Sequence, residues 1–256
     1  TSFITEAVLR NSSSLSYSFC VKMPLPPLHG WMRDTYRSAP LAVLIPLSAV
    51  VAKLGAYGFL RIVLPLLPEA VAAFDDVMLV LALLGIIYGS LMAFTQDEAR
   101  LVVGYSSIAQ IGFVGLGIFA LDAKGAEGAM LQMLNHGIVV IGLFLVIGYL
   151  AERAGSERLS RMGGIAKNAP VFAVLFLIIS LATLAMPGSA NFVGELYILF
   201  GAFDGSFVYG VIATAGVALA AVYMIRFFQR AMHGPAGAAE SRELDGTEIG
   251  MLLPAV

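Results

Sequence analysis

Residues 40–64 form an unbroken apolar run in which Lys53 lies near the centre and Arg61 close to the far end. A hydrophobic run of this length is a bilayer-crossing helix, because ~20 apolar residues at a rise of ~1.5 Å each span a ~30 Å hydrocarbon core. Lys53 then sits ~20 Å in, close to the midplane. An ammonium at that depth costs roughly 2.5–3.5 kcal/mol even on mild insertion scales, so it needs a partner, a water-filled cavity or a task. Three further singletons repeat the anomaly: Lys22 before Met23-Pro24, His136 inside the apolar segment 126–151, and Glu195 just beyond Met186-Pro187-Gly188. A set of titratable groups held at mid-depth points to ion or proton conduction.

The remaining composition narrows the class. Hydrophobic residues make up 59% of the chain and charged residues 12%, with a mean hydropathy of +0.88. Soluble domains carry about a quarter charged residues, so an ordinary globular domain is excluded. The apolar segments run over 40–64, 71–94, 100–121, 126–151, 169–203 and 206–232, and another begins near 249. The fold class is an all-α polytopic membrane protein. The segment 169–203 is too long for a simple span and is interrupted at Pro187-Gly188, which reads as a discontinuous helix. Gly85 and Gly89, four apart, allow close helix packing of the small-xxx-small kind. Pro24, Pro26 and Pro27 break any helix arriving there, and a short helix is expected within 28–39.

Loop charges orient the set. Arg33, Arg37, Arg100, Arg153, Arg158, Arg161, Lys167, Arg230 and Arg242 share one face, and Arg61 and Lys124 lie on the other. The positive-inside rule places the first group in the cytoplasm. One cysteine, Cys20, excludes an internal disulfide or a multi-cysteine cluster. His29, His136 and His233 show no ligand spacing. Gly112, Gly115 and Gly117 lie within an apolar helix, so no phosphate-binding loop is present. No cofactor and no metal is expected in this chain, and no nucleic-acid partner; the lipid bilayer is its medium. The sequence has no start methionine or signal-peptide pattern and stops a few residues into an apolar segment, so both ends read as truncations.

Each candidate has a bland alternative. Lys53 is flanked by Ala49, Ala52, Gly55 and Ala56, which let helices approach while its ammonium points inward. It could be a structural lysine held by carbonyls or a carboxylate. Buried lysines also exchange protons readily, because desolvation opposes their charge. His136 is either a packing histidine or a relay. Glu195 follows a helix break, where freed backbone groups and water lower the cost of its charge, and could instead be a cap. Lys22 precedes a proline and could be an interfacial lysine snorkelling outward. Gln110, with Ser106 and Ser107 one turn before it, forms a stripe able to order water or to bond a neighbouring helix. For His29, Trp31 and His233 the bland reading is preferred.

These residues sit in strings that resemble the antiporter-like membrane subunits of respiratory NADH–quinone oxidoreductase, of the M type. The strings include Lys22-Met23-Pro24, His29-Gly30-Trp31, Arg33-Asp34, Lys53-Leu54-Gly55-Ala56-Tyr57-Gly58, Gln132-Met133-Leu134-Asn135-His136-Gly137 and Met186-Pro187-Gly188 through Gly194-Glu195. The resemblance runs from about residue 22 to 232. It implies a bundle with two inverted five-helix repeats, each containing a broken helix. Residues 22–64 would close the first repeat and 65–232 form the second. Residues 1–21 are then irregular, and 233–256 a cytoplasmic loop leading into a further span. By resemblance Lys22, Lys53, His136 and Glu195 belong to a hydrated lateral row that relays protons. Glutamate at 195, where sister chains tend to have lysine, favours the M type. The resemblance also implies partner subunits in a membrane arm of the bacterial inner membrane. NADH, flavin, iron–sulfur clusters and quinone would be bound by other subunits.

Two departures accompany it. Gln110 stands where the family usually has a histidine, and residues 1–21 do not resemble the expected apolar helix. The family's glutamate partner of Lys22 is not in this chain. The same fold serves Mrp-type sodium–proton antiporters and membrane-bound hydrogenases, and a scaffold with locked ion pairs is the third reading.

Overall fold

A computed structural model describes residues 15, 17–235 and 242–256. Five helices are long and apolar enough to cross a membrane: α3 (Leu41–Leu66), α4 (Pro68–Thr95), α5 (Ala99–Phe119), α6 (Ala123–Ala154) and α9 (Phe207–Met232). A sixth span is split into α7 (Pro170–Thr183) and α8 (Ala190–Gly205). Short helices α1 (residues 17–22), α2 (Gly30–Ser38) and α10 (Gly246–Leu252) complete the described chain.

Helix α5 is the axis. Every residue from Ala99 to Phe119 except Arg100 is buried, so the polar side chains it carries face protein and not lipid. Its closest neighbour is α4. A Cβ on Gly89 would lie 2.7 Å from the Ala109 backbone nitrogen, and one on Gly112 would lie 2.7 Å from the Ala82 carbonyl oxygen. The small-residue spacing seen in the sequence is therefore a helix crossing that admits no side chain at its centre.

The expected break at Pro187-Gly188 is present. Ala185 and Gly188 both take positive φ, 50° and 103°, between α7 and α8. The side-chain amide of Asn191 donates to the Ala182 carbonyl oxygen at 2.9 Å, satisfying one acceptor that the break releases.

Two features depart from the sequence reading. Irregular structure was expected over 1–21, yet residues 17–22 are helical; residues 1–14 and 16 lie outside the described residues. Serine-rich composition hides a one-sided contact: the Phe19 and Phe59 rings lie 5.7 Å apart, and a Cβ on Gly55 would come 2.6 Å from the Phe19 carbonyl oxygen. Packing against α3 outweighs the weak local propensity. Second, α3 is not a uniform α-helix but contains π-helical stretches at Leu47–Val51 and Phe59–Val63. Pro46 and Pro65 lie beside them and lack the N–H that the α ladder requires. The ladder re-registers, with Ala52 N–H bonding Leu47 O and Leu64 N–H bonding Phe59 O. Lys53 occupies the α-helical stretch between the two.

The arginine-rich ends gather into a collar. Arg37 pairs with Glu98, Arg100 with Glu157, Arg230 with Asp97 and Arg153 with Glu248. These pairs tie together α2, the α4–α5 turn, the α6–α7 loop, α9 and α10 on one face, consistent with the orientation read from loop charge. On the opposite face Lys124 stands 3.8 Å from Asp204.

Candidate functional site

Lys53, His136 and Glu195 are all buried, with 8%, 2% and 4% of their surfaces exposed. Lys53 Nζ donates to the Ser48 carbonyl oxygen, which lies in the first π stretch of α3. Such insertions weaken the regular ladder and present carbonyls to side chains. Helix α3 packs tightly on α6 just here, since a Cβ on Gly137 would lie 3.0 Å from the Ala49 carbonyl oxygen. That contact brings His136 within electrostatic reach of Lys53. Among the described residues neither ring nitrogen of His136 has a hydrogen-bond partner.

One turn before His136 on the same face of α6 stands Gln132. Its amide donates to Gln110 Oε1 at 2.6 Å, and Gln110 donates to Glu195 Oε1 at 3.0 Å. Gln132 also approaches Glu195 Oε1 at 3.4 Å. Gly194 makes this possible: a Cβ there would sit 2.7 Å from Gln132 Oε1. The bare backbone beside Glu195 lets α8 close on α6. Gln110 therefore binds the carboxylate directly and does more than order water.

The groups thus form a lateral sequence, Lys53 on α3, His136 and Gln132 on α6, Gln110 on α5 and Glu195 on α8. Among the described residues none of the three titratable members takes part in an ion pair. Among the described residues, Gln132 Oε1 and both His136 nitrogens are buried without a hydrogen-bond partner. Buried polar groups are almost always satisfied by protein or by water. These are polar groups of the site that no protein partner satisfies among the described residues.

Lys22 is not part of this gathering. It is exposed at the end of α1. Ser106 donates to the Val103 carbonyl oxygen of its own helix at 2.8 Å. The bland readings suit the remaining singletons. His29 stacks edge-on against Tyr88, His233 against Phe228, and Trp31 Nε1 donates to the Val21 carbonyl oxygen. Two members escaped sequence reasoning. Gln132 was overlooked because it is neutral, although its four-residue spacing to His136 was a usable signal. Tyr223 of α9, whose hydroxyl stands beside Ser106, Gln110 and Glu195, resembles any aromatic residue in a span.

A bundle of membrane-length helices with one broken span and, among the described residues, buried acids and bases outside any ion pair defines a class: polytopic integral membrane proteins with ionisable side chains inside the bundle. The chain belongs to the NADH:quinone oxidoreductase/Mrp antiporter transmembrane family, whose family model matches residues 5–220. It is 40% identical over 233 residues to NADH-quinone oxidoreductase subunit M of Escherichia coli K12, covering 91% of this chain and 46% of that protein. The corresponding subunit of Rickettsia typhi is 38% identical over 232 residues, covering 91% and 45%. The structure superposes on a chain of respiratory complex I from Thermus thermophilus with a TM-score of 0.92 at 31% identity, covering 98% of this chain and 53% of that one. The chain therefore spans about half the length of the relatives it matches.

Proposed function

We propose that this chain is the proton-relaying portion of an M-type membrane-arm subunit of NADH–quinone oxidoreductase, embedded in a bacterial inner membrane beside other membrane-arm subunits. Lys53, His136 and Glu195 exchange protons through water held against Gln132, Gln110 and Ser107. Electron transfer occurs in other subunits, which hold NADH, flavin, iron–sulfur clusters and quinone. Lys22 would join the row only through a carboxylate supplied from outside the described residues.

The observation that carries this reading is that, among the described residues, Lys53 and Glu195 are buried on neutral partners. A scaffold would lock Lys53 and Glu195 into ion pairs, because a lone buried charge is costly. Instead Lys53 rests on a carbonyl and Glu195 on two neutral amides. Neutral donors leave each group able to change protonation without breaking a salt bridge. At low effective dielectric, a charge gained at one group shifts its neighbour by several kcal/mol over a few ångströms. Moving one proton against ~150 mV requires ~3.5 kcal/mol, scaled from ~2.3 per 100 mV, so coupling of that size suffices.

The test is Glu195→Gln in the full-length subunit within the complete complex, with NADH oxidation and proton uptake measured in inverted membrane vesicles. The proton-to-electron ratio should fall while NADH oxidation with a soluble electron acceptor persists. An unchanged ratio would refute the relay. The Mrp-type antiporter reading has support in the family's own breadth. The resemblance to subunit M proteins at 38–40% identity favours the oxidoreductase. Sodium-dependent proton flux without NADH oxidation would favour the antiporter.

A further inference from the structure

The partners of Glu195 suit only one of its two forms. Gln110 and Gln132 both donate N–H groups to Oε1, at 3.0 and 3.4 Å, which satisfies a carboxylate. A carboxylic acid carries an O–H of its own and needs an acceptor. In a buried site, a form left without its partner costs more than an ordinary hydrogen bond gains. A glutamate that holds and releases a proton there requires partners for both states.

Asn191 supplies the missing acceptor. It is 1% exposed and lies four residues before Glu195, on the same buried face of α8 as Gly194 and Ile198. Side chains on a helix lean toward its N-terminus, so Glu195 reaches back over the turn that holds Asn191. The Asn191 amide has only one sense. The Ala182 carbonyl oxygen can only accept, so Nδ2 faces it, at 2.9 Å, and Oδ1 is the free end. Among the described residues Oδ1 is buried without a hydrogen-bond partner.

The other groups around Glu195 are committed. Gln110 of α5, Gln132 of α6 and Tyr223 of α9 face it, and among the described residues no cation pairs with it. On α7 the Ser180 and Thr183 hydroxyls donate to the Phe176 and Ile179 carbonyl oxygens. Gln132 Oε1 is also an open acceptor. Gln132 turns its nitrogen toward Glu195, however, and presenting its oxygen instead would break the 2.6 Å bond to Gln110.

We propose that Asn191 is the acceptor for the proton Glu195 carries, with the acid O–H donating to Asn191 Oδ1. This rests on the relay reading above. The proton stays covalently bound to the carboxyl oxygen, and only a hydrogen bond is made. Asn191 Nδ2 already holds Ala182 across the break. The loaded state therefore links the Glu195 O–H, the Asn191 amide and the Ala182 carbonyl into one chain, each bond polarising the next. Loading Glu195 tightens the seam between α7 and α8, and unloading it relaxes the seam.

The experiment reads the carboxylic C=O stretch of Glu195 by infrared spectroscopy in the complete complex, as the band that Glu195→Gln removes. Asn191→Leu keeps the bulk and removes the acceptor. The band should move to higher wavenumber, because an acid that donates no hydrogen bond has a stiffer C=O. An unmoved band overturns the proposal, as does a band moved by Gln132→Leu and not by Asn191→Leu. If Asn191→Leu does not assemble, the wild-type complex with isotope-labelled asparagine side-chain carbonyls decides. Protonation of Glu195 should shift one asparagine band to lower wavenumber, and Glu195→Gln should abolish that shift. Asparagine bands indifferent to Glu195 overturn the proposal. A proton-to-electron ratio left intact by Glu195→Gln would defeat the relay itself, an outcome read separately from the band positions.

Discussion

At the arginine-rich end, Arg153 meets both carboxylate oxygens of Glu248 and the carbonyl oxygens of Tyr149, Arg242 and Glu243. At mid-depth, Lys53 has the Ser48 carbonyl, and the His136 ring has no hydrogen-bond partner among the described residues. The first region is saturated and the second is left open, although the second lies where an unsatisfied group costs more. Charges that fasten helix ends are paired as fully as geometry allows. The contrast within one chain is not one of burial, since Arg153 and Lys53 are both buried.

The collar carries the larger stability prediction. Arg153→Ala leaves Glu248 buried without its Arg153 partner and should destabilise the arginine-rich end by about 3–5 kcal/mol, seen as a lowered thermal midpoint of the solubilised complex. Loss of less than about 1 kcal/mol would erase the contrast drawn here. Gln132→Leu strikes the row instead. It should lower proton pumping about tenfold, one step of ~1.4 kcal/mol in coupling, while shifting stability by no more than about 1–2 kcal/mol for a lost hydrogen bond.

Acid titration sharpens the comparison further. Arg37 beside Glu98 holds that carboxyl below the usual range. Burial pushes Asp97 up, but hydrogen bonds from Ser160 and Arg230 outweigh it and leave its pKa lowered. Folded-state values below the unfolded ones mean that the collar's contribution is fully present at neutral pH. It is lost as pH falls from the ordinary carboxylate range near ~4 through the lower folded values. Hydrogen exchange in the 155–161 loop should therefore rise below about pH 4 and stay flat from pH 6 to 8. The smallest effect belongs to Asp97→Asn. Its pair with Arg230 is partly exposed, at 42% and 31% of the two side chains, so it should cost no more than about 1 kcal/mol in the thermal midpoint.

The sequence made the spans and the broken helix legible, because long apolar runs and Pro187-Gly188 are strong local signals, and the loop arginines assigned to one face do gather there. It also exposed Lys53, His136 and Glu195, since an ionisable residue in a hydrophobic run stands out by cost alone. The π stretches around Lys53 were not legible: Pro46 and Pro65 announce a disturbed ladder but not its register. Residues 17–22 were hidden by serine-rich composition, because their helix depends on Gly55 and Gly58 of a distant segment. Gln132 and Tyr223 were missed because neutral side chains carry no penalty visible in one dimension. Lys22 was the weakest of the singletons in sequence, where an interfacial lysine was as good a reading, and the structure sets it apart by exposure.

The most direct measurement is the proton-to-electron ratio of the complete complex carrying Lys53→Ala, taken alongside Arg153→Ala. The account predicts that Lys53→Ala abolishes or sharply reduces pumping with little change in thermal midpoint, and that Arg153→Ala lowers the midpoint with its pumping ratio intact. A wild-type ratio in Lys53→Ala would contradict it.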